Sequence, residues 1–340
     1  MDIHMPGSDI TVVFQGAIAA HRVESAPTTL ECVQRTRRAL PDARYVLSTW
    51  AGTQLPRGLP VDEVVYCKDP GSLPSIKLKS EQANNINRQI VTAAAGLAAV
   101  RTTHAVKMRT DSFLRHAGFI DYYGRYARHL EQDAMVFNKL FTVDPDVFEQ
   151  LPFHLSDWFQ FGPTQALRAY WNAGPMSLEQ ATHYERRQHA PHSTFLVRNF
   201  RCLLAVEQHV CTQYAARLGY AVPRFHNDLS PVVMASFRRF IMERAIILDP
   251  GQIGLEVPKH DWATRSRFQS MNCIGHADWY YAMAQRHPSA FNDVVLLAEG
   301  KTRSRKKARL GMLARVASPF GKWLHTRPAK VLVNRLLRFL

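Results

Sequence analysis

The apolar residues of this 340-residue chain fall into short blocks, and the polar breaks between them carry the residues that turn a backbone. Residues 10–14 (ITVVF) are a β-branched and aromatic run that stops at Gln15-Gly16, the pattern of a buried first strand. Residues 28–40 hold helix formers and close at Pro41; residues 43–49 (ARYVLST) predict a second strand followed by Trp50-Ala-Gly52. A third strand is predicted at 63–67 (EVVYC), before the turn sequence Asp69-Pro-Gly71. Asn84-Asn85 opens a helix in which Ile90, Val91, Ala94, Leu97 and Ala98 return at helical spacing. A fourth strand is predicted at 104–108, ended by Arg109-Thr-Asp111. Strand and helix alternate throughout, which predicts an α/β fold with a parallel-rich sheet covered by helices.

Beyond residue 115 the pattern mixes aromatics, His and Arg with helical stretches such as 195–218 and 278–286. No Gly/Ser-rich linker or internal repeat divides the chain, so a second half at 116–300 is expected to pack on the first, 1–115. Charge marks a different boundary. Of 43 Lys and Arg, twelve lie in 301–340, where there is no Asp or Glu; residues 1–300 carry only +3 of the net +15. This segment opens with KTRSRKKAR and closes with AKVLVNRLLRFL, with Phe320 and Trp323 between, and reads as a basic amphipathic tail at 301–340. Such a tail suits an anionic membrane surface through apolar burial plus about 1 kcal/mol per well-placed cation. The alternatives are a solvated basic tail or a nucleic-acid arm. The near-neutral body without an RNP-like motif speaks against nucleic acid. The N-terminus has no secretory pattern, no run approaches the roughly 20 apolar residues of a spanning helix, and the five scattered cysteines suggest reduced thiols. A cytoplasmic protein held peripherally on the inner face of the plasma membrane is the resulting expectation.

In open α/β sheets ligands bind beyond the carboxyl ends of the strands. The residues at those ends are Gln15, Gly16, Ser48 to Trp50, Asp69, Arg109 and Asp111, and the helix start with Asn84, Asn85, Asn87 and Arg88 faces the same crevice. An Asn-rich, Arg-bearing helix N-terminus offers donors to a diphosphate. This reasoning reaches a nucleotide or phosphate site and no reaction. Gly-x-Ser-x-Gly, Walker A and His-Glu-x-x-His patterns are absent. His183, His189 and His192 lack the spacing of ligands on one helical face.

The series TVVFQG (11–16), YVLSTWAG (45–52), Asp69-Pro-Gly71, NNINRQIVTAAAGL (84–97), VKMRTD (106–111) and FHLSDWFQFG (153–162) resembles the WavE-type lipopolysaccharide synthesis proteins, over about residues 10 to 250. The resemblance implies a GT-A-like Rossmann-type sheet with flanking helices. It also implies transfer of a sugar from a nucleotide-sugar donor to a lipid-linked oligosaccharide acceptor, with 1–115 holding the donor and 116–300 the acceptor. GT-A enzymes place an Asp-x-Asp metal motif where this chain has Arg109-Thr-Asp111. Two mechanisms follow. Asp111 ligates Mg2+ or Mn2+ with water and phosphate completing the shell, the reading preferred from sequence; or Arg109, Lys107 and Arg88 neutralise the leaving diphosphate directly. A third possibility is structural, with Lys107 and Arg109 on one face of an edge strand and Asp111 capping a helix. For an inverting reaction, Asp157 in SDWFQFG is the first candidate base, beside aromatics that stack on sugars and desolvate it. Glu207 is the second, since an acidic residue recurs there in the family pattern. Their bland alternatives are a helix cap and an exposed helix residue. A catalytically inactive GT-like scaffold or sugar-binding partner of a polysaccharide assembly complex is the competing function.

Overall fold

The computed structural model describes residues 5–22 and 26–317. Nine strands are present among them: β1 Ile10–Gln15, β2 Arg44–Trp50, β3 Glu63–Cys67, β4 His104–Arg109, β5 Phe113–Leu114, β6 Met135–Asn138, β7 Phe159–Pro163, β8 Ala245–Leu248 and β9 Leu255–Glu256. Seven of them form one sheet in the order β3-β2-β1-β4-β7-β6-β8. β1 to β4 run parallel, β7 is antiparallel to both β4 and β6, and β8 is parallel to β6. The central strands are apolar runs because both faces are covered: every residue of β1 is buried.

Side-chain alternation fixes which helix lies where. In β2, the hydroxyl of Tyr45 donates to the carbonyl of Leu40, at the end of the Thr29–Ala39 helix, at 2.8 Å. Ser48, of opposite parity, faces Gly96 of the Ile86–Ala98 helix. These two helices therefore cover opposite faces of the sheet. Gly96 permits the close approach, since a β-carbon there would lie 2.6 Å from Val13 Cγ1 and 2.9 Å from Ser48 Cβ. Beside Ile86–Ala98 lies the Thr164–Trp171 helix, whose Arg168 donates to the carbonyls of Leu97, Ala98 and Val100. A capping box of Thr28 and Glu31 starts the Thr29–Ala39 helix.

The mixed α/β sheet with flanking helices is as expected, and two boundaries change. β6, β7 and β8, all beyond residue 115, complete the sheet begun by β1–β4, so the two halves share one sheet. The tail does not begin at Lys301: one helix runs Val294–Ala317. Its Lys307 is buried, with the ammonium donating to Asp144 (2.9 Å), Asp278 (2.8 Å) and the Cys273 carbonyl (2.8 Å). Arg303 forks onto Asp278 at 3.1 and 3.0 Å, and Leu310 packs on Val147 and Phe148. Composition marked 301–340 as a basic amphipathic membrane-associating tail, whereas two charges of this helix pair with largely buried carboxylates of the body. Phe320, Trp323 and the amphipathic stretch at 330–340 lie outside the described residues. No described helix is long and apolar enough to cross a membrane.

Replacing Lys307 with Ala leaves Asp144 without its cation and Asp278 with Arg303 alone, and is expected to destabilise the chain by about 3 kcal/mol. Arg305→Ala, an exposed change on the same helix, is expected to stay within about 0.5 kcal/mol. Urea unfolding of the two variants checks the contrast.

Candidate functional site

β4 ends at Arg109, and three residues later the chain enters β5, which pairs antiparallel with β9. That short ladder brings the following turn, Pro258–His260, over the end of β4. The ladder relies on Gly254, whose φ of +85° and 2.3 Å approach of a would-be β-carbon to the His116 carbonyl exclude a side chain. A cleft of about 630 Å³ opens here, beyond the carboxyl ends of β1, β2 and β4. Gln15, Gly16, Trp50, Asn85, Arg88, Thr92, Arg109, Asp111 and Lys259 line it.

Charge in the cleft comes as two forks. Arg109 Nε and Nη2 donate to the two oxygens of Asp111 at 2.9 and 2.8 Å. Arg88 does the same to Asp69 at 2.8 and 2.7 Å. Lys259 Nζ stands 3.6 Å from Asp111, and Arg109 Nη2 lies 3.4 Å from His260 Nε2. Burial alone would raise the Asp111 pKa, but the Arg109 fork, with Lys259 and His260 behind it, overrides this and brings it down to about 2. His260 is shifted down by burial and then by the Arg109 charge, which leaves a neutral imidazole able to accept from Arg109. The Ile86–Ala98 helix points its N-terminus at the cleft with no side-chain cap and no acid in its first turn, so its dipole favours an anion.

Of the residues predicted from sequence, Gln15, Gly16, Arg88, Arg109 and Asp111 come together in this cleft, with Asp69 joined through Arg88. Gln15 is held by Thr92, whose hydroxyl donates to its side-chain oxygen at 2.7 Å. Gly16 takes φ +116°, open only to glycine without strain. Asn84 and Asn87 turn elsewhere. The Asn84 carbonyl oxygen accepts from Ile86 N at 3.0 Å, and Asn87 exchanges hydrogen bonds with both backbone groups of Met176, at 3.0 and 2.8 Å. They position the helix and do not face a ligand.

Lys107 is also corrected. It shares a face with Arg109, two residues away, but is fully buried, its ammonium 4.3 Å from the Trp171 ring centre and bonded to the Asp157 carbonyl. Burial lowers its pKa to about 8. Asp157 and Glu207, the expected bases, join this buried cluster and line no part of the cleft. Desolvation raises Asp157, and its Oδ2 has no hydrogen-bond partner. Glu207 Oε2 lies 3.0 Å from His154 Nε2, while His154 Nδ1 donates to the Phe141 carbonyl at 2.8 Å. Two acceptors on one ring require both protons, so His154 is an imidazolium: burial opposes its charge, and Glu207 outweighs burial. That pairing likewise holds Glu207 down against its own desolvation. Neither bland alternative holds either: Asp157 precedes strand β7, not a helix, and Glu207 is not exposed.

The expected metal fits poorly. Both oxygens of Asp111 are engaged by one guanidinium, those of Asp69 by another, and Lys259 adds repulsion. Among the described residues no group of three or more His, Cys, Asp or Glu is placed to hold an ion. Lys259, His260 and Thr92 were not anticipated: Thr92 lies within the 84–97 motif without being singled out, and Lys259 and His260, which no motif marks, arrive from about 150 residues away through the β5–β9 pairing.

A family model described as WavE lipopolysaccharide synthesis matches residues 10–305. The chain belongs to that family. The WavE match extends beyond the expected residue 250 and takes in β9 and the cleft turn at 258–260. No curated protein matches the sequence significantly. Two solved structures are similar to this WavE chain at low identity. One is a 4-diphosphocytidyl-2C-methyl-D-erythritol synthase from Anaerococcus prevotii, 10% identical, covering 54% of this chain and 87% of its own, with a TM-score of 0.29. The other is HddC from Yersinia pseudotuberculosis, 12% identical, covering 47% and 78%, with a TM-score of 0.27. At such TM-scores neither likeness bears on function.

The Asp111 fork gives an acid-stability signature. Its folded pKa lies below the ordinary value of 3.8, so the stabilisation is complete above about pH 4 and is lost as pH falls toward 2. The Asp111→Asn variant lacks it, and the gap between wild type and variant, about 2 kcal/mol at pH 6, should close over that interval in urea titrations. A gap that stays constant down to pH 2 would show that the fork contributes nothing through ionisation.

Proposed function

We propose that this WavE-family chain is a glycosyltransferase that moves a sugar from a nucleotide-sugar donor to a lipid-linked saccharide in lipopolysaccharide or surface-polysaccharide synthesis. The observation that carries the reading is the strand-end cleft, where Arg88, Arg109, Lys259 and the N-terminus of the Ile86–Ala98 helix, whose Asn85 makes no side-chain cap, converge. Three cations and a helix dipole are a donor set for a diphosphate, and the cleft volume of about 630 Å³ suits a small-molecule ligand. Guanidinium forks already shaped for two oxygens match phosphate as well as carboxylate.

In this reading the departing nucleoside diphosphate gathers negative charge on its β-phosphate, and Arg88, Arg109 and Lys259 stabilise it. The acceptor hydroxyl loses its proton to a base at the rim if the reaction inverts. His260 stands nearer the cleft cations than Asp157 or Glu207, and its Nε2, 3.4 Å from Arg109, becomes free to take the proton once a phosphate draws Arg109 away. The competing scaffold reading predicts a cleft that binds without hydrolysing any donor. Peripheral attachment at the cytoplasmic face of the membrane, through the basic segment at 318–340 rather than the whole of 301–340, would bring the enzyme to its acceptor.

Thermal shifts across a nucleotide-sugar panel, read with and without EDTA, test the proposal. One donor is expected to stabilise the protein, with an affinity moved less than about twofold by EDTA, and to be slowly hydrolysed. Arg88→Ala, at a partly exposed site, is expected to weaken that binding by about tenfold. A donor bound only with Mg2+ or Mn2+ would overturn the cationic mechanism, and binding without hydrolysis would favour the scaffold.

A further inference from the structure

The wall of the cleft continues outward into an aromatic step. Directly after the Pro258–His260 turn, the helix Asp261–Arg265 carries Trp262, which is 57% exposed. Its ring does not hang free. It meets the Phe141 ring edge-on at 6.2 Å and 75°; Phe141 packs on Trp158 at 4.8 Å, and Trp158 on His260 at 4.8 Å. The Arg109 guanidinium lies 5.6 Å from the Trp158 ring centre. Phe141 is held at φ +66°, a conformation a bulky residue adopts only when its surroundings impose it. His154 supplies part of that constraint by donating to the Phe141 carbonyl at 2.8 Å. A strained phenylalanine, a buried tryptophan and a histidine thus brace one exposed indole beside the cationic end of the cleft.

Resting on the glycosyltransferase reading above, we propose that Trp262 is the stacking face for a sugar ring of the acceptor oligosaccharide. Trp262 is not among the residues lining the cleft, whereas Lys259, three residues earlier, is. A ring lying on the indole is therefore outside the donor pocket but next to the diphosphate cations, the position an attacking acceptor has to occupy. The C–H face of a pyranose packs on an aromatic face, and hydroxyls at the ring edge find polar partners around it: Asp261 and Arg265 on the same short helix, paired at 2.5 Å, and Lys259 on the turn before it. His260, two residues before Trp262 and 3.4 Å from Arg109, takes the proton of the attacking hydroxyl once the diphosphate draws Arg109 off its Nε2.

Calorimetric titration of the full chain with delipidated lipopolysaccharide core oligosaccharide tests this. The wild type is expected to bind; Trp262→Ala should weaken binding by roughly tenfold or more, and Trp262→Phe by no more than about threefold. Nucleotide-sugar affinity, measured in parallel, should be the same in all three proteins. Equal oligosaccharide binding by wild type and Trp262→Ala, or none by the wild type, overturns the acceptor platform while leaving donor binding to speak for the transferase. Weaker nucleotide-sugar binding in Trp262→Ala also overturns it, by moving Trp262 into the donor site. Absence of nucleotide-sugar binding in the wild type overturns the transferase reading itself.

Discussion

A guanidinium that is mostly withdrawn from solvent at the end of a strand must find a counter-charge or leave the fold, because desolvating an unpaired cation costs several kcal/mol. Arg109 finds it two residues on, in Asp111. Satisfying both nitrogens of the fork bends the chain immediately after β4, and the bend delivers Phe113 and Leu114 to pair with Leu255 and Glu256. That pairing carries Lys259 and His260 to the strand end and Trp262 to its rim. The position of every residue in the cleft that comes from the second half of the chain depends on this one contact.

The same face of β4 carries a second charge, Lys107, one alternation deeper. Here no solvent helps. Lys107, Asp157, Glu207 and His154 form a buried group that ties β4 to the segment before β7 and to the Val206–Arg217 helix. Two of its charges are well paired, Glu207 and His154 at 3.0 Å. The other two are less so: burial pulls Lys107 toward neutrality and raises Asp157, whose Oδ2 is unpartnered. The desolvation cost of both charged forms offsets their mutual attraction, so this group joins the elements through its backbone-directed bonds more than through its net charge. It also reaches the surface indirectly, because His154 holds the Phe141 carbonyl and Phe141 backs Trp262.

The first six elements were legible because strands buried on both faces read as unbroken apolar runs and because Gly, Pro and Asn mark their ends. Strand-end logic then singled out Gln15, Gly16, Arg109 and Asp111, and the helix start Arg88, which line one cleft. It failed where a polar side chain serves a partner far along the chain. Asn87 looks like a ligand donor until Met176, 89 residues on, takes both ends of its amide. Lys107 looks like a phosphate cation until Trp171 and the Asp157 carbonyl close over it. Composition put a boundary before Lys301, yet Asp144 and Asp278 draw Lys307 into the body. Lys259 and His260 had no local signal at all, since their role comes from a two-residue ladder.

The charges of the cleft are nearly neutral in pairs: Arg88 with Asp69, Arg109 with Asp111, and Lys259 as the cation left over. A diphosphate entering it does not meet free guanidinium groups. It exchanges with carboxylates that present the same two-oxygen geometry, so net affinity is the difference between two fork contacts and not the full strength of one. The diphosphate has the advantage of greater charge and of the helix N-terminus, which neither Asp uses as a cap. Opening the two forks costs the same whatever enters, so a weakly charged ligand, which regains less from the cations, is disfavoured more than a multiply charged one. On the proposed transferase reading, the carboxylate-paired arginines of this cleft would favour a multiply charged leaving group, a role that an Asp-x-Asp at the same position would give to a metal.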